Sequence, residues 1–120
     1  MSSTQPWPTE IRLNPAKDEL IVRFDDHSAH ALRAEYLRVV SPSAEVQGHS
    51  EDQRQTVPGK RNVKISQLEP VGNYAVRIIF DDGHDSGLFS WSYLRELGEE
   101  KESKWRFYLN ELADKGLARD

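Results

Sequence analysis

Two stretches of this chain follow one plan: IVRFDDHSAHALRAEYLR, residues 21–38, and VRIIFDDGHDSGLFSWSYLREL, residues 76–97. Each reads as an apolar strand, an Asp-Asp turn, a short strand and a helical Tyr-Leu-Arg. They align with one extra residue, Gly83, in the second copy. The pattern constrains the fold because each part has a local cause. β-Branched and aromatic runs suit a pleated, half-buried surface. Adjacent aspartates favour turns through side-chain to backbone hydrogen bonds. The tyrosine and leucine anchor the helix that follows. Two copies are too few for a solenoid, so a quasi-duplicated single domain is the expectation.

The flanking segments extend the same reading. Residues 1–8 carry two prolines and small polar residues, which predicts a flexible tail, with Trp7 placed to pin it to the body. From Thr9, EIRLN alternates, PAKDE turns and LIVRF runs as a second strand, an antiparallel hairpin. Residues 41–61 have no sustained apolar period, and a long loop inside a small domain is usually functional or disordered. Strand signals return at Asn62. Ser90 is a predicted N-cap for WSYLREL and Gly98 its predicted stop. A last helix is expected from Glu100 to Lys115. Its apolar stripe is Trp105, Tyr108, Leu109, Leu112 and Ala113, with Phe107 off the stripe as an exposed contact.

These elements predict an α+β domain: a mostly antiparallel sheet of about six short strands, a short helix after the third strand, and two C-terminal helices. The body spans residues 9–97, and residues 98–120 form an amphipathic helix packed on it. The expected core is Ile11, Leu20, Val22, Phe24, Leu37, Ile65, Val76, Ile78, Phe80, Leu94, Leu109 and Leu112.

Composition narrows the chemistry. The chain has 120 residues, 30% of them charged, so one domain with a very polar surface is expected. It has no cysteine, which removes disulfides, thiolate metal sites and a cysteine nucleophile. No apolar run reaches membrane-spanning length, and MSSTQPWPTE is not a secretory signal, so the cytoplasm is the expected compartment. Net charge is −4, and the one basic cluster, Lys60, Arg61 and Lys64, is short. Nucleic acid is therefore not an expected partner. Homodimerisation is left open.

The stretch FDDGHDSG, Phe80–Gly87, is the most suggestive for a site. Asp82-Gly83 between apolar strands is a hairpin signal. Asp82, His84 and Asp85, with His49 from the long loop, are also a candidate ligand set for a metal ion or small ligand. The loop lacks EF-hand spacing. No P-loop, nucleophile elbow, dinucleotide fingerprint or HExxH occurs. Serines coexist with histidines and acids, but nothing in the sequence orders them into a triad.

YLRVVSPSAEVQGH, residues 36–49, and VGNYAVRIIFDDGHDSGLFSWSYLREL, residues 71–97, resemble the γ-butyrobetaine hydroxylase-like N-terminal domain, also called DUF971, in a stand-alone bacterial form. In the hydroxylases this domain holds a structural zinc through a C-x-C-x-x-C arrangement and a histidine of the Asp-Gly-His turn. The resemblance places those ligands at Ser41, Ser43, Val46 and His84. Only the histidine is a zinc donor, so the site is degenerate and no zinc or other cofactor is expected. The hydroxylase catalytic domain lies outside the matched region, so its activity does not transfer and the chain is not expected to be an enzyme. A similar domain at the C-terminus of some P-loop ATPases with iron–sulfur clusters links the family to cluster or metalloprotein maturation. The expected function is thus a non-catalytic interaction or accessory module acting on a protein partner. Arg54, Lys60, Arg61 and Phe107 are its candidate surface. Metal or small-ligand binding through His84 is the alternative.

Overall fold

The computed structural model describes residues 7–48 and 53–120. It contains two three-stranded antiparallel sheets rather than one. Strands β1 (Pro8–Leu13), β2 (Glu19–Phe24) and β3 (Ala29–Arg33) form the first, and helices α1 (Ala34–Val39) and α2 (Ala44–Gln47) follow it. Strands β4 (Ile65–Val71), β5 (Ala75–Phe80) and β6 (Leu88–Ser90) form the second, followed by α3 (Trp91–Glu99) and α4 (Lys101–Asp114). The architecture is α+β with six strands and two C-terminal helices, as the patterning implied. Each half is three strands followed by two helices.

The duplication extends to single hydrogen bonds. Phe24 N donates to Ser28 O and His27 N to Phe24 O; Phe80 N donates to His84 O and Gly83 N to Phe80 O. His27 and Gly83 both take the left-handed region, with φ of 71° and 93°. Gly83 therefore matches His27, and the extra residue of the second copy is not Gly83. Strand register places it between His84 and Leu88, since Leu20 pairs with Leu32 and its equivalent Val76 pairs with Phe89. Asp25 exchanges hydrogen bonds with Trp7, and Asp81 does the same with Lys64. Trp7 is thereby tied down, and β1 begins at Pro8, inside the stretch read as tail; residues 1–6 lie outside the described residues.

The halves are locked by reciprocal ties. Tyr36 Oη donates to Leu97 O at 2.8 Å, and Tyr93 Oη donates to Val40 O at 2.6 Å. Each tyrosine reaches the carbonyl four residues beyond the other. Two glycines complete the exchange. A Cβ on Gly98 would stand 2.4 Å from the His30 ring, and one on Gly87 would stand 2.4 Å from Ser41 Oγ. Gly98 is thus not the stop of α3, which continues through it to Glu99. It is where a helix must approach a ring closely. Ser90 does cap α3, accepting from Tyr93 N at 3.1 Å.

One core serves both halves. Leu20, Val22, Phe24 and Leu32 pack with Ile65, Val76, Ile78, Phe80 and Phe89, closed by Leu37, Leu94 and Leu97. Ile11 is only half-buried against it. The α4 stripe is narrower than the spacing implied. Tyr108 and Leu112 are buried against Val39, with Trp105 and Val57 beside them, whereas Leu109 is 38% exposed. Consecutive helical residues point about 100° apart, so a face centred on Tyr108 and Leu112 turns Leu109 and Ala113 outward.

Candidate functional site

The second acid turn faces the segment after α1. Ser41 Oγ lies 2.9 Å from His84 Nε2, and His84 Nδ1 lies 3.2 Å from Glu45 Oε1. Ser43 Oγ lies 2.8 Å from Ser86 Oγ, whose hydroxyl donates to Glu45 at 2.7 Å. Val46 is buried and lines an open cavity of about 330 Å³ with Arg38, Val57 and His84. Ser41, Ser43, Val46 and His84 thus come together across 38 to 43 residues of chain. Local chemistry builds this corner. Ser43 caps α2 by accepting from Glu45 N at 3.2 Å, and Gly48 ends that helix with φ of 68°. The cap fixes Glu45 in the first turn, opposite His84.

The serine, imidazole and carboxylate stand in the order of a hydrolase triad, but their burial is inverted. In a working triad the carboxylate is enclosed and the hydroxyl meets substrate. Here Ser41 is fully buried beneath Gly87, while the Glu45 side chain is 70% exposed. An acyl carbon has no route to Ser41 Oγ. The arrangement works instead as a hydrogen-bonded lock. Burial pushes the His84 pKa below its ordinary value and Arg38 adds to this, outweighing Glu45, Asp82 and Asp85. The neutral ring can accept from the Ser41 hydroxyl at Nε2 and donate from Nδ1 to Glu45.

Asp82 is committed elsewhere. Its Oδ2 takes Arg38 Nε at 2.8 Å and Lys60 Nζ at 2.7 Å, and its Oδ1 accepts from His84 N at 3.0 Å. Burial would raise this carboxyl, but the hydrogen bonds from Lys60, His84 N and Arg38 win and hold it down at about 2. Asp85 lies 3.9 Å from Arg77. His49 lies outside the described residues. No group of three or more His, Asp or Glu side chains able to hold an ion occurs among the described residues. The side chains at the four matched positions are two hydroxyls, an imidazole and an alkyl group that cannot donate at all. That set does not fit a tetrahedral zinc, which takes thiolate, imidazole or carboxylate.

The four candidate surface residues separate into two places. Phe107 is 57% exposed on α4, with the Arg54 guanidinium 5.1 Å from its ring centre; Arg54 also pairs with Glu111. Lys60 reaches Asp82, and Arg61 pairs with Asp120. Sequence reasoning missed Glu45, Ser86 and Arg38. Arg38 was legible in principle, because the repeat places an arginine after each Tyr-Leu and an acid turn in each copy.

The family model for the γ-butyrobetaine hydroxylase-like N-terminal domain matches residues 11–95, and the chain belongs to that family. An NMR solution structure superposes with a TM-score of 0.84 at 47% identity, covering 98% of this chain and 92% of its own. A second superposes at 0.83 and 41% identity, covering 99% and 89%. A crystal structure of a protein of unknown function of the DUF971 family, from Acidithiobacillus ferrooxidans, matches at 0.66 and 37% identity, covering 79% of this chain and 98% of its own. No curated protein matches the chain. Among the described residues no helix is long and apolar enough to cross a membrane.

Proposed function

We propose that this chain is a non-catalytic interaction module that docks a protein partner through the exposed face of α4. The observation that carries this reading is Phe107 standing in solvent with Arg54 stacked on it. It sits at the rim of a cavity of about 250 Å³ lined by Val39, Val40, Tyr93 and Tyr108. Polar Gln47, Gln55, Ser103 and Lys104 line the rest of that cavity, and exposed aromatic and arginine side chains are residue types that dominate binding energy at interfaces. The inverted burial at Ser41 and His84 supports a role without catalysis. The finer part of the proposal is an accessory role in metalloprotein or iron–sulfur protein maturation, and it rests on the resemblance alone. Affinity capture from native cytoplasmic extract tests both parts. Wild type should retain partners that Phe107→Ser and Arg54→Ser lose, and metalloproteins should be enriched among them. Identical partner lists would sink the surface.

A second reading has one observation in its favour. Arg38 Nη1 is buried without a hydrogen-bond partner and belongs to a residue lining the cavity beside His84. A small ligand carrying an acceptor would satisfy it. Calorimetric titration with zinc, iron(II), manganese and inorganic phosphate tests this reading. Saturable heat lost in His84→Ala and Arg38→Met would favour it; no heat would remove it.

A further inference from the structure

Glu35 is a carboxylate at 4% exposure in α1. Burying such a charge is costly unless it is paired and hydrogen-bonded. Its partner is Arg119, from the strap that follows α4. Arg119 Nε donates to Oε2 at 2.8 Å and Nη2 donates to Oε1 at 2.7 Å. The same guanidinium lies with its central carbon 5.2 Å from the ring centre of Trp105. Tyr36 meets Trp105 edge-on, at 6.3 Å between ring centres and 82° between planes. The indole is therefore fixed as a wall.

A forked carboxylate contact in one plane and an aromatic face against that plane form the arrangement that distinguishes arginine from lysine. The strap carrying Arg119 is tied to the body by a few backbone hydrogen bonds and by the Arg61–Asp120 ion pair. Its backbone ties to the body are Gly59 N to Ala118 O and Arg61 N to Arg119 O, both 3.0 Å, together with Leu117 N to Leu112 O at 2.8 Å. Beside the guanidinium lies an open cavity of about 360 Å³, lined by Ala31, Tyr36, Lys101 and Trp105 among others. It stays open beside the seated guanidinium, and none of its lining residues lines the cavity at Phe107.

We propose that Glu35 and Trp105 form an arginine-recognition pocket for an arginine-bearing segment of a protein partner, occupied in cis by Arg119 until that segment displaces it. The fork and the stacked ring supply the chemical selectivity. The buried carboxylate makes an empty pocket unfavourable, so one arginine exchanges for another. Exchange at the pocket requires only the Arg119 side chain to leave. This does not rest on the α4 surface proposed above, and either can fail alone.

The test uses the full chain carrying Arg119→Ala and the tripeptide acetyl-Ala-Arg-Ala-amide, followed through the Trp105 indole signal by NMR. The expected result is a saturable shift that wild type shows only at higher concentration, because its own tail competes. The lysine tripeptide should bind about tenfold more weakly, having lost both fork and stacking. Adding Glu35→Gln should abolish the shift. A folded Arg119→Ala chain with no saturable shift would overturn the proposal. So would an equal response to the lysine tripeptide, or a shift that survives Glu35→Gln. Should Arg119→Ala not fold, wild type decides. Excess arginine tripeptide must move the Arg119 Nε–H signal, and an unmoved signal overturns the proposal.

Discussion

The turns at residues 24–28 and 80–84 share a backbone and differ in their last two residues, His27-Ser28 against Gly83-His84. In both, an aspartate caps the N–H two residues on, Asp26 for Ser28 and Asp82 for His84, each at 3.0 Å. In both, its other oxygen receives an arginine from the opposite half, Arg95 at 2.6 Å and Arg38 at 2.8 Å. The first turn ends in Ser28, whose hydroxyl also accepts from Arg95 Nη1 at 2.7 Å. The second ends in His84, whose ring turns away to Ser41 and Glu45 and leaves Arg38 Nη1 without a partner. Backbone and acid thus set the frame. The terminal side chain decides whether the corner closes as an ion-pair network or opens as a polar niche.

The most damaging way to break this comparison is to remove the acids. Asp82→Ala strips the partner from Lys60 and from Arg38, whose side chain is only 12% exposed. A cost of about 2–3 kcal/mol is expected, because a nearly buried charge loses its counter-ion. Asp26→Ala should cost clearly less, since Arg95 keeps Glu99 and Ser28. Urea denaturation of the two variants checks the ranking, and equal losses would mean that the corners are energetically alike. Next come the glycines. Gly87→Ala should cost about 2 kcal/mol through overpacking against Ser41 Oγ. Adding Ser41→Ala should recover part of that loss, a coupling that a double-mutant cycle reads directly.

The reciprocal tyrosines predict near-equal effects. Tyr36→Phe and Tyr93→Phe each leave a carbonyl without its hydroxyl donor, for about 1 kcal/mol apiece in thermal melts. A large asymmetry would argue against true reciprocity. The smallest effect is on pH dependence. His84 is held below its ordinary value of 6.5. The unfolded chain therefore takes up a proton that the fold resists, and stability falls as pH drops below about 6.5. His84→Gln should flatten part of that slope, and His30, also held down by burial, supplies the rest. Asp82, held at about 2, contributes stability that is present above the ordinary 3.8 and is lost as pH falls towards 2. Asp82→Asn should flatten part of that acidic limb, and Asp18, Asp26 and Glu45, also held low by their hydrogen bonds, supply the rest.

Much of the fold was legible because its signals are local. Alternation marked the strands, Ser90 announced its cap, and the repeat announced two halves. What escaped depends on the other half of the molecule. Gly98 reads as a helix stop until His30 is seen against it. Leu109 reads as core until Tyr108 and Leu112 set the packed face of α4. The position of the extra residue escaped because identical letters, His27 and His84, suggested one alignment, whereas hydrogen bonds and φ impose another. At the site, the resemblance named Ser41, Ser43, Val46 and His84, but no spacing could show that Glu45 would meet the imidazole. The pairing of buried Glu35 with half-buried Arg119, 84 residues apart, had no sequence signal at all.

The central claim is that the His84 ring is held in a hydroxyl–imidazole–carboxylate lock with Ser41 and Glu45 rather than in a metal centre. It is tested most directly by titrating zinc into the full chain while recording the ring nitrogens of His84 by NMR at neutral pH. The lock predicts that Nε2 and Nδ1 keep the signals of a neutral ring bonded to Ser41 and Glu45, without saturable change. A stoichiometric shift of either nitrogen to a metal-bound signal would contradict it.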